Sequence, residues 1–187
     1  MNNTRKLVYT ALLAALTAAG AFMRIPMGYS SVTLQYLFTA MAGLLLGRKW
    51  GALSQLLYVL LGLVGLPIFT MGGGLGYVFQ PTFGFLLGLI PAAWVVGAIS
   101  AQRFDDPKRM ALAALAGLAV LYAIGLPYMG GILNLYMHKG MTVRAILWSG
   151  MIPYLPGDAL KILVAAGVCP VLRRRLKLAD GSHKQSE

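Results

Sequence analysis

The 187 residues are 58% hydrophobic and only 11% charged, with a mean hydropathy of +0.72. A water-soluble chain of this length could not cover so much apolar surface, so the composition specifies an integral membrane protein and leaves no room for a soluble catalytic domain. The net charge of +11 comes without any nucleic-acid recognition motif, and the lone Cys169 excludes an intrachain disulfide and fits no thiolate metal site by itself.

Apolar runs recur along nearly the whole chain and predict one all-α membrane domain over residues 1–178 with six transmembrane helices. Residues 179–187 are expected to form a short, disordered polar tail. Arg5 and Lys6 precede the first run, Leu7 to Met23, which looks like the start of a secretory signal but is read as a retained helix because further spans follow. Ala11, Ala14, Ala15, Ala18 and Ala19 give this helix a small-residue face, suited to internal packing or to the close approach of another subunit.

Pro26 and Gly28 turn the segment Arg24 to Ser31 into an outer loop. A second helix is expected from Val32 to Leu46, opening on Thr33 and Gln35, and a third from Ala52 to Leu66, stopped by Pro67. Between them, Gly47-Arg48-Lys49-Trp50-Gly51 makes a basic inner turn. The loop after the third helix holds Gly72, Gly73 and Gly74, then Tyr77 and Gln80. It lacks the Gly-Lys-Ser/Thr ending of a phosphate-binding loop, so its glycines serve either close approach to a ligand or a tight turn.

A fourth helix is expected from Thr82 to Ser100, kinked at Pro91, and a fifth from Met110 to Leu126, ended by Pro127. Asp105 and Asp106 between them read as a solvated inner turn rather than an acid/base pair. Asn134, Tyr136 and His138 fall in an outer segment, where a lone histidine does not propose a metal. The last membrane segment begins near Thr142, is interrupted at Pro153 and Pro156, and continues to Leu172 before Arg173-Arg174-Arg175.

This threading puts twelve Arg and Lys inside: Arg5, Lys6, Arg48, Lys49, Arg103, Lys108, Arg109, Arg173, Arg174, Arg175, Lys177 and Lys184. Three lie outside, namely Arg24, Lys139 and Arg144. The asymmetry predicts cytoplasmic N- and C-termini. Lys161 remains within a span.

Asp158 and Lys161 lie three residues apart on one face of the last helix, and an unpartnered charge there costs roughly 2.5–3.5 kcal/mol. Fifteen residues separate Asp158 from Arg173, about 22 Å of helix, which sets the pair in the outer half of a core about 30 Å thick. An outward-opening pocket is therefore expected, with Thr33, Gln35, Tyr77, Gln80, Asp158 and Lys161 as its polar groups. It suits a small, mostly apolar molecule with amide-like and anionic groups. The same pair could instead pin the last helix, or act as the acid and base of a membrane enzyme on a lipid-linked substrate. With neither a nucleotide loop nor charges at several depths, the chain shows means of capture but no energy source of its own.

Taken in order, Ala11-Leu-Leu-Ala-Ala15, Val32-Thr-Leu-Gln35, Ala42-Gly-Leu-Leu-Leu-Gly47, Gly62-Leu-Val-Gly-Leu-Pro67, glycines 72–74 with Gln80-Pro-Thr82, and Pro156-Gly-Asp-Ala-Leu-Lys161 resemble the BioY family. These are the biotin-capturing S components of energy-coupling factor (ECF) transporters. Phe83-Gly84 and Ser31-Val32 depart from the family's usual pattern. The resemblance implies a six-helix protein of a prokaryotic plasma membrane that binds biotin from outside, needs no cofactor and catalyses no covalent change. Its partners would be a transmembrane coupling subunit, met by Ala11 and Ala15, and two cytoplasmic ATPases. It further implies that Pro26 to Ser31 helps close the site, that Asp158 accepts from the ureido N–H groups, and that Lys161 balances its charge. Thr33, Gln35, Tyr77 and Gln80 would complete recognition.

Overall fold

The computed structural model describes residues 3–27, 30–101 and 106–176. Arg103, Asp105, Lys177, Lys184, the tail 179–187 and Gly28 and Tyr29, in the middle of the loop expected to help close the site, lie outside the described residues.

Helix α1 (Asn3–Phe22) is followed by two short antiparallel strands, β1 (Arg24–Met27) and β2 (Ser30–Thr33), with Ile25 opposite Val32 and Arg24 opposite Thr33. Val32 and Thr33 were expected to open the second helix, and β-branched residues next to a turn favour extended pairing instead. The all-helical expectation is corrected by this one hairpin.

Helix α2 (Gln35–Leu63) contains both the second and third expected helices, and it is not straight. Gly47 has φ 78° and ψ −179°, a region open essentially to glycine alone, and there the chain reverses. The hydrogen bonds prove the reversal. Thr39 Oγ1 donates to Gln55 Oε1 at 3.0 Å, and Gln35 Nε2 to the Tyr58 hydroxyl at 2.7 Å, whereas sixteen residues of straight helix would hold the first pair about 24 Å apart. Gly51 accordingly packs on Gly43, so the contacts fold symmetrically about Gly47. The outgoing arm stops at Leu63 rather than Leu66, because Gly65 N–H bonds Gly62 O and Leu66 N–H bonds Leu61 O, a Schellman ending.

Of the two readings of the glycine run, the structure has the tight turn. Gly72 pairs with Phe69, Gly72 and Gly74 have φ of 116° and 97°, and a side chain on Gly73 would strike Leu66 O. A single 3-10 turn, Leu75–Phe79, leads to α3 (Phe83–Ser100).

Helix α4 (Pro107–Gly131) starts with Asp106 as its cap, the carboxylate accepting from Lys108 N–H at 2.9 Å. It runs through Pro127 instead of ending there and passes into a π-helical turn, Ile132–Tyr136. Proline removes one N–H and crowds one carbonyl, a local defect that packed apolar helices tolerate. Asn134 then folds the outer segment by bonding both Met141 N–H and Met141 O, at 2.6 and 2.8 Å.

The last segment breaks where its prolines predict. Helix α5 (Val143–Gly150) and a 3-10 turn, Ile152–Tyr154, precede α6 (Leu155–Arg175), in whose first turn Pro156 sits. The α2 arms pack against α1 and α3, α3 against α4, and α6 closes the bundle by lying on both α2 and α4. By length and composition, three stretches could each cross a membrane: Phe83–Ser100, Pro107–Tyr136 and Val143–Arg175.

Candidate ligand-binding site

Where α6 begins, between α2, α4 and the β-hairpin, the fold leaves a cavity of about 90 Å³. The floor and sides are Tyr36, Phe85, Leu86, Leu89, Leu121, Tyr122 and Tyr154, and Ser31 and Val32 stand at the strand end. Its polar groups gather at two corners.

The first corner is built on α6. Asp158 and Lys161 are 5% and 7% exposed, and the Lys161 ammonium bonds Asp158 Oδ1 at 2.7 Å. Tyr122 of α4 donates to the other carboxylate oxygen, Oδ2, at 2.5 Å. Two charges withdrawn from water this far are tolerable only when paired and hydrogen-bonded, and here each carboxylate oxygen has its own donor. Helix α6 supplies both charges because their three-residue spacing brings them to one face, with Asp158 in the first turn, where the helix N-terminus favours a carboxylate.

The second corner joins the hairpin to α2. Thr33 Oγ1 is 3.0 Å from Gln35 Oε1, and the Gln35 amide donates to Tyr58, whose hydroxyl donates on to Ile68 O at 3.1 Å. Behind the cavity wall the network continues inward, from Thr39 to Gln55 and from the Gln55 amide to Thr17 of α1 at 3.3 Å. Opposite, Tyr77 and Thr70 share a hydrogen bond of 2.8 Å. Arg24 of β1 donates to Thr70 O, tying the hairpin to the loop that carries Tyr77.

Of the six polar residues expected at a pocket, Thr33, Gln35, Tyr77, Asp158 and Lys161 line this one cavity. Gln80 is outside the lining. Its backbone closes the 3-10 turn instead, its N–H bonding Tyr77 O and its carbonyl accepting from Phe83 N–H. Sequence reasoning passed over Tyr36, Thr70, Thr82, Tyr122 and Tyr154. Thr82 has a specific physical mark, since its buried hydroxyl has no hydrogen-bond partner among the described residues while the residue lines the cavity. Tyrosines spaced along apolar helices carry no comparable signal in sequence, because whether they reach a cavity depends on helix rotation.

Helix α1 presents Ala11, Ala15 and Ala19 outward, while Ala14 is buried and Ala18 half-buried against the core. The five alanines therefore divide between two faces. One packs the protein and the other is open.

The model of the BioY family matches residues 1–178. The probable biotin transporter BioY of Lysinibacillus sphaericus is 40% identical over 88% of this chain and 84% of its own length, and the biotin transporter BioY of Thermotoga maritima is 34% identical over 91% and 96%. The crystal structure of an S-component for biotin from an ECF-type ABC transporter superposes with a TM-score of 0.79, covering 93% of this chain and 95% of its own at 23% identity, so the same fold is shared. Nearly the full length of the sequence, and the architecture with it, follows one pattern: the chain belongs to the BioY family.

Proposed function

We propose that this chain is the substrate-capturing S component of an ECF-type importer and that its substrate is biotin. The observation that carries the reading is the buried Asp158–Lys161–Tyr122 corner, set in an otherwise apolar cavity of a chain whose relatives are named biotin transporters. Biotin has matching chemistry: a ureido ring with two N–H donors and one carbonyl acceptor, a thioether ring and an aliphatic chain ending in a carboxylate. An ionised carboxylate offers about four acceptor positions, of which Asp158 uses two internally, leaving acceptor capacity for a ureido N–H of the ligand. Lys161 holds further protons for the ureido oxygen. Leu86, Leu89, Leu121 and Phe85 take the thioether ring and the aliphatic chain, and Thr33, Gln35, Tyr77 and Thr82 offer the remaining hydrogen bonds. Gln80 has only an indirect part, through the turn its backbone closes.

The cavity is smaller than the roughly 300–1,000 Å³ of small-molecule sites, so a ligand of biotin's size moves part of the wall. Ser31 to Thr33 are the segment to move, since they hang from a four-residue strand rather than from a packed helix. Once the ligand is seated, the same β-hairpin is the element assigned to cover it. The valerate carboxylate then lies toward Arg24, the basic side chain bonded to Thr70 on the cavity lining.

Six crossings with both termini cytoplasmic fit this reading: α1, the two arms of α2, α3, α4 and α6. The Gly47 turn brings Arg48 and Lys49 to the same end as Arg5 and Lys6, and Lys6 stands over the Trp50 ring at 6.0 Å. The arms of α2, residues 35–46 and 48–63, are only about 18 and 24 Å long, and the β-hairpin fills the outer part of the layer above the shorter one. Transport energy comes from cytoplasmic ATPases acting through a separate transmembrane coupling subunit, which docks on the open alanine face of α1. A membrane enzyme built on Asp158 and Lys161 does not fit the family, whose named members are transporters and not catalysts.

Saturable, better-than-micromolar binding of radiolabelled biotin to the purified chain is expected, with Asp158→Asn weakening it by at least ten-fold. Absence of saturable binding to the parent would overturn the assignment. Chemical change of the bound molecule would favour the enzyme instead.

A further inference from the structure

Of the basic residues on the outer side, Arg24 is engaged with Thr70 O. Lys139 and Arg144 are exposed, and their side chains have no hydrogen-bond or ion-pair partner among the described residues. Cations on the side that membrane topology disfavours call for a reason. Both lie in the connection between α4 and α6. On α4 the rise from Arg109 to Met129 is about 30 Å, and on α6 the rise from Leu155 to Arg173 is about 27 Å. The connection therefore begins and ends at the outer edge of a core about 30 Å thick. Helix α5 within it is about 12 Å long, too short to cross. It lies on the outer end of α4, where a side chain added at Gly130 would touch Ile146 and one added at Gly150 would touch Leu126 and Met129.

The opposite face of α5 turns Val143, Arg144 and Trp148 outward, and Trp148 is 64% exposed. Leu135, just ahead in the connection, is 80% exposed. Tryptophan beside a basic side chain at this depth marks the level where headgroups meet acyl chains. Thr142, Arg144, Ala145, Trp148 and Ser149 line a shallow groove there. Ser149 spends its hydroxyl proton on Ala145 O at 2.7 Å, whereas Thr142 accepts from Ala145 N–H and keeps its own proton to give. The groove thus offers a guanidinium fork, an indole N–H and a hydroxyl, the donors that a phosphate takes.

We infer that the α5 groove holds the phosphate of an anionic phospholipid of the outer leaflet, with Arg144 as its charge partner. A zwitterionic lipid is the poorer match, because residues 107–157 contain no Asp or Glu and its ammonium would meet cations alone. The inference goes beyond substrate capture and rests on the proposed function only for the orientation with cytoplasmic termini.

The test uses the full chain carrying Trp50→Phe and Trp94→Phe, which leaves Trp148 as the sole tryptophan, reconstituted in phosphatidylcholine bilayers with graded amounts of brominated phosphatidylglycerol or brominated phosphatidylcholine. Quenching of Trp148 should show about a five-fold preference for phosphatidylglycerol, the effect of one basic side chain at a membrane surface. Arg144→Gln should bring the preference below about two-fold, and Arg144→Glu should turn it against phosphatidylglycerol. Arg144→Lys, keeping the charge without the fork, should fall between the parent and Arg144→Gln, a ranking that loss of fold does not produce. Equal quenching by the two lipids in the parent, or a preference that survives Arg144→Gln, overturns the inference. Relief of the quenching by millimolar inorganic phosphate would give the groove to a free anion and overturn it too. The orientation is checked separately, by labelling Met137→Cys with an impermeant maleimide: reaction from outside supports it, and reaction from the cytoplasmic side alone would overturn the orientation, and the outer-leaflet assignment with it, whatever the quenching shows.

Discussion

Asp158 and Lys161 show how a residue's chemistry constrains its neighbours. Each is buried, each is partnered, and removing one leaves the other stranded. Lys161→Met is therefore expected to destabilise the protein by about 3–5 kcal/mol, and the paired change Asp158→Asn with Lys161→Met to recover part of that loss while abolishing binding; thermal melts beside binding isotherms separate the two effects. Thr82 predicts the converse. Its hydroxyl has no partner among the described residues, so Thr82→Val should leave the melting temperature of the ligand-free protein unchanged or slightly raised, while weakening biotin binding about ten-fold. A matching drop in stability would mean the hydroxyl is not reserved for ligand. Arg24→Gln should weaken biotin but leave biotin methyl ester unaffected, and an equal effect on both would remove Arg24 from carboxylate recognition. The charged pair could be read from sequence because charge inside a long apolar run has no bland explanation. Thr82 and Tyr122 could not, since their meaning lies in a missing partner and in a contact across 36 residues.

Among the elements, the hairpin of α2 carries most of the architecture on one glycine. Gly47→Val places a β-branched side chain at φ 78° and ψ −179°, where it costs of order 1–3 kcal/mol or more. Lower melting temperature with the affinity of the surviving folded fraction unchanged is the expected result, and an undisturbed melt would show that the reversal does not depend on this residue. The basic turn between the second and third helices was readable because Arg48 and Lys49 interrupt an apolar pattern. Their antiparallel register was not, because it depends on Thr39 meeting Gln55 and Gln35 meeting Tyr58, and polar residues within apolar helices do not name their partners. Likewise Gln80, attractive as an amide beside the glycine run, is turned away because the 3-10 turn ahead of it brings Tyr77 inward instead. The small strands escaped notice for a plainer reason: four residues are too few for a period to show.

At the level of the whole molecule, the cavity opens beside the β-hairpin while the outward alanines of α1 offer a separate, flat face. Ala11→Trp should accordingly leave biotin affinity within about two-fold but abolish ATP-dependent uptake in vesicles containing the complete importer, because bulk on a small-residue face prevents close helix approach. Equal loss of binding and uptake would contradict a docking role. Reporter fusions at both ends should be active only on the cytoplasmic side, as the distribution of Arg and Lys requires. The order of the chain adds a consequence for biogenesis. The two charges that a lipid layer admits least willingly sit in α6, and their cradle is made by Tyr122 of α4 and by α2, both synthesised before it. Insertion of α6 is therefore expected to depend on polypeptide already in place, which solvates what the bilayer would reject: protease-accessibility mapping of a chain lacking α4 should find α6 outside the membrane, and unchanged insertion would contradict this.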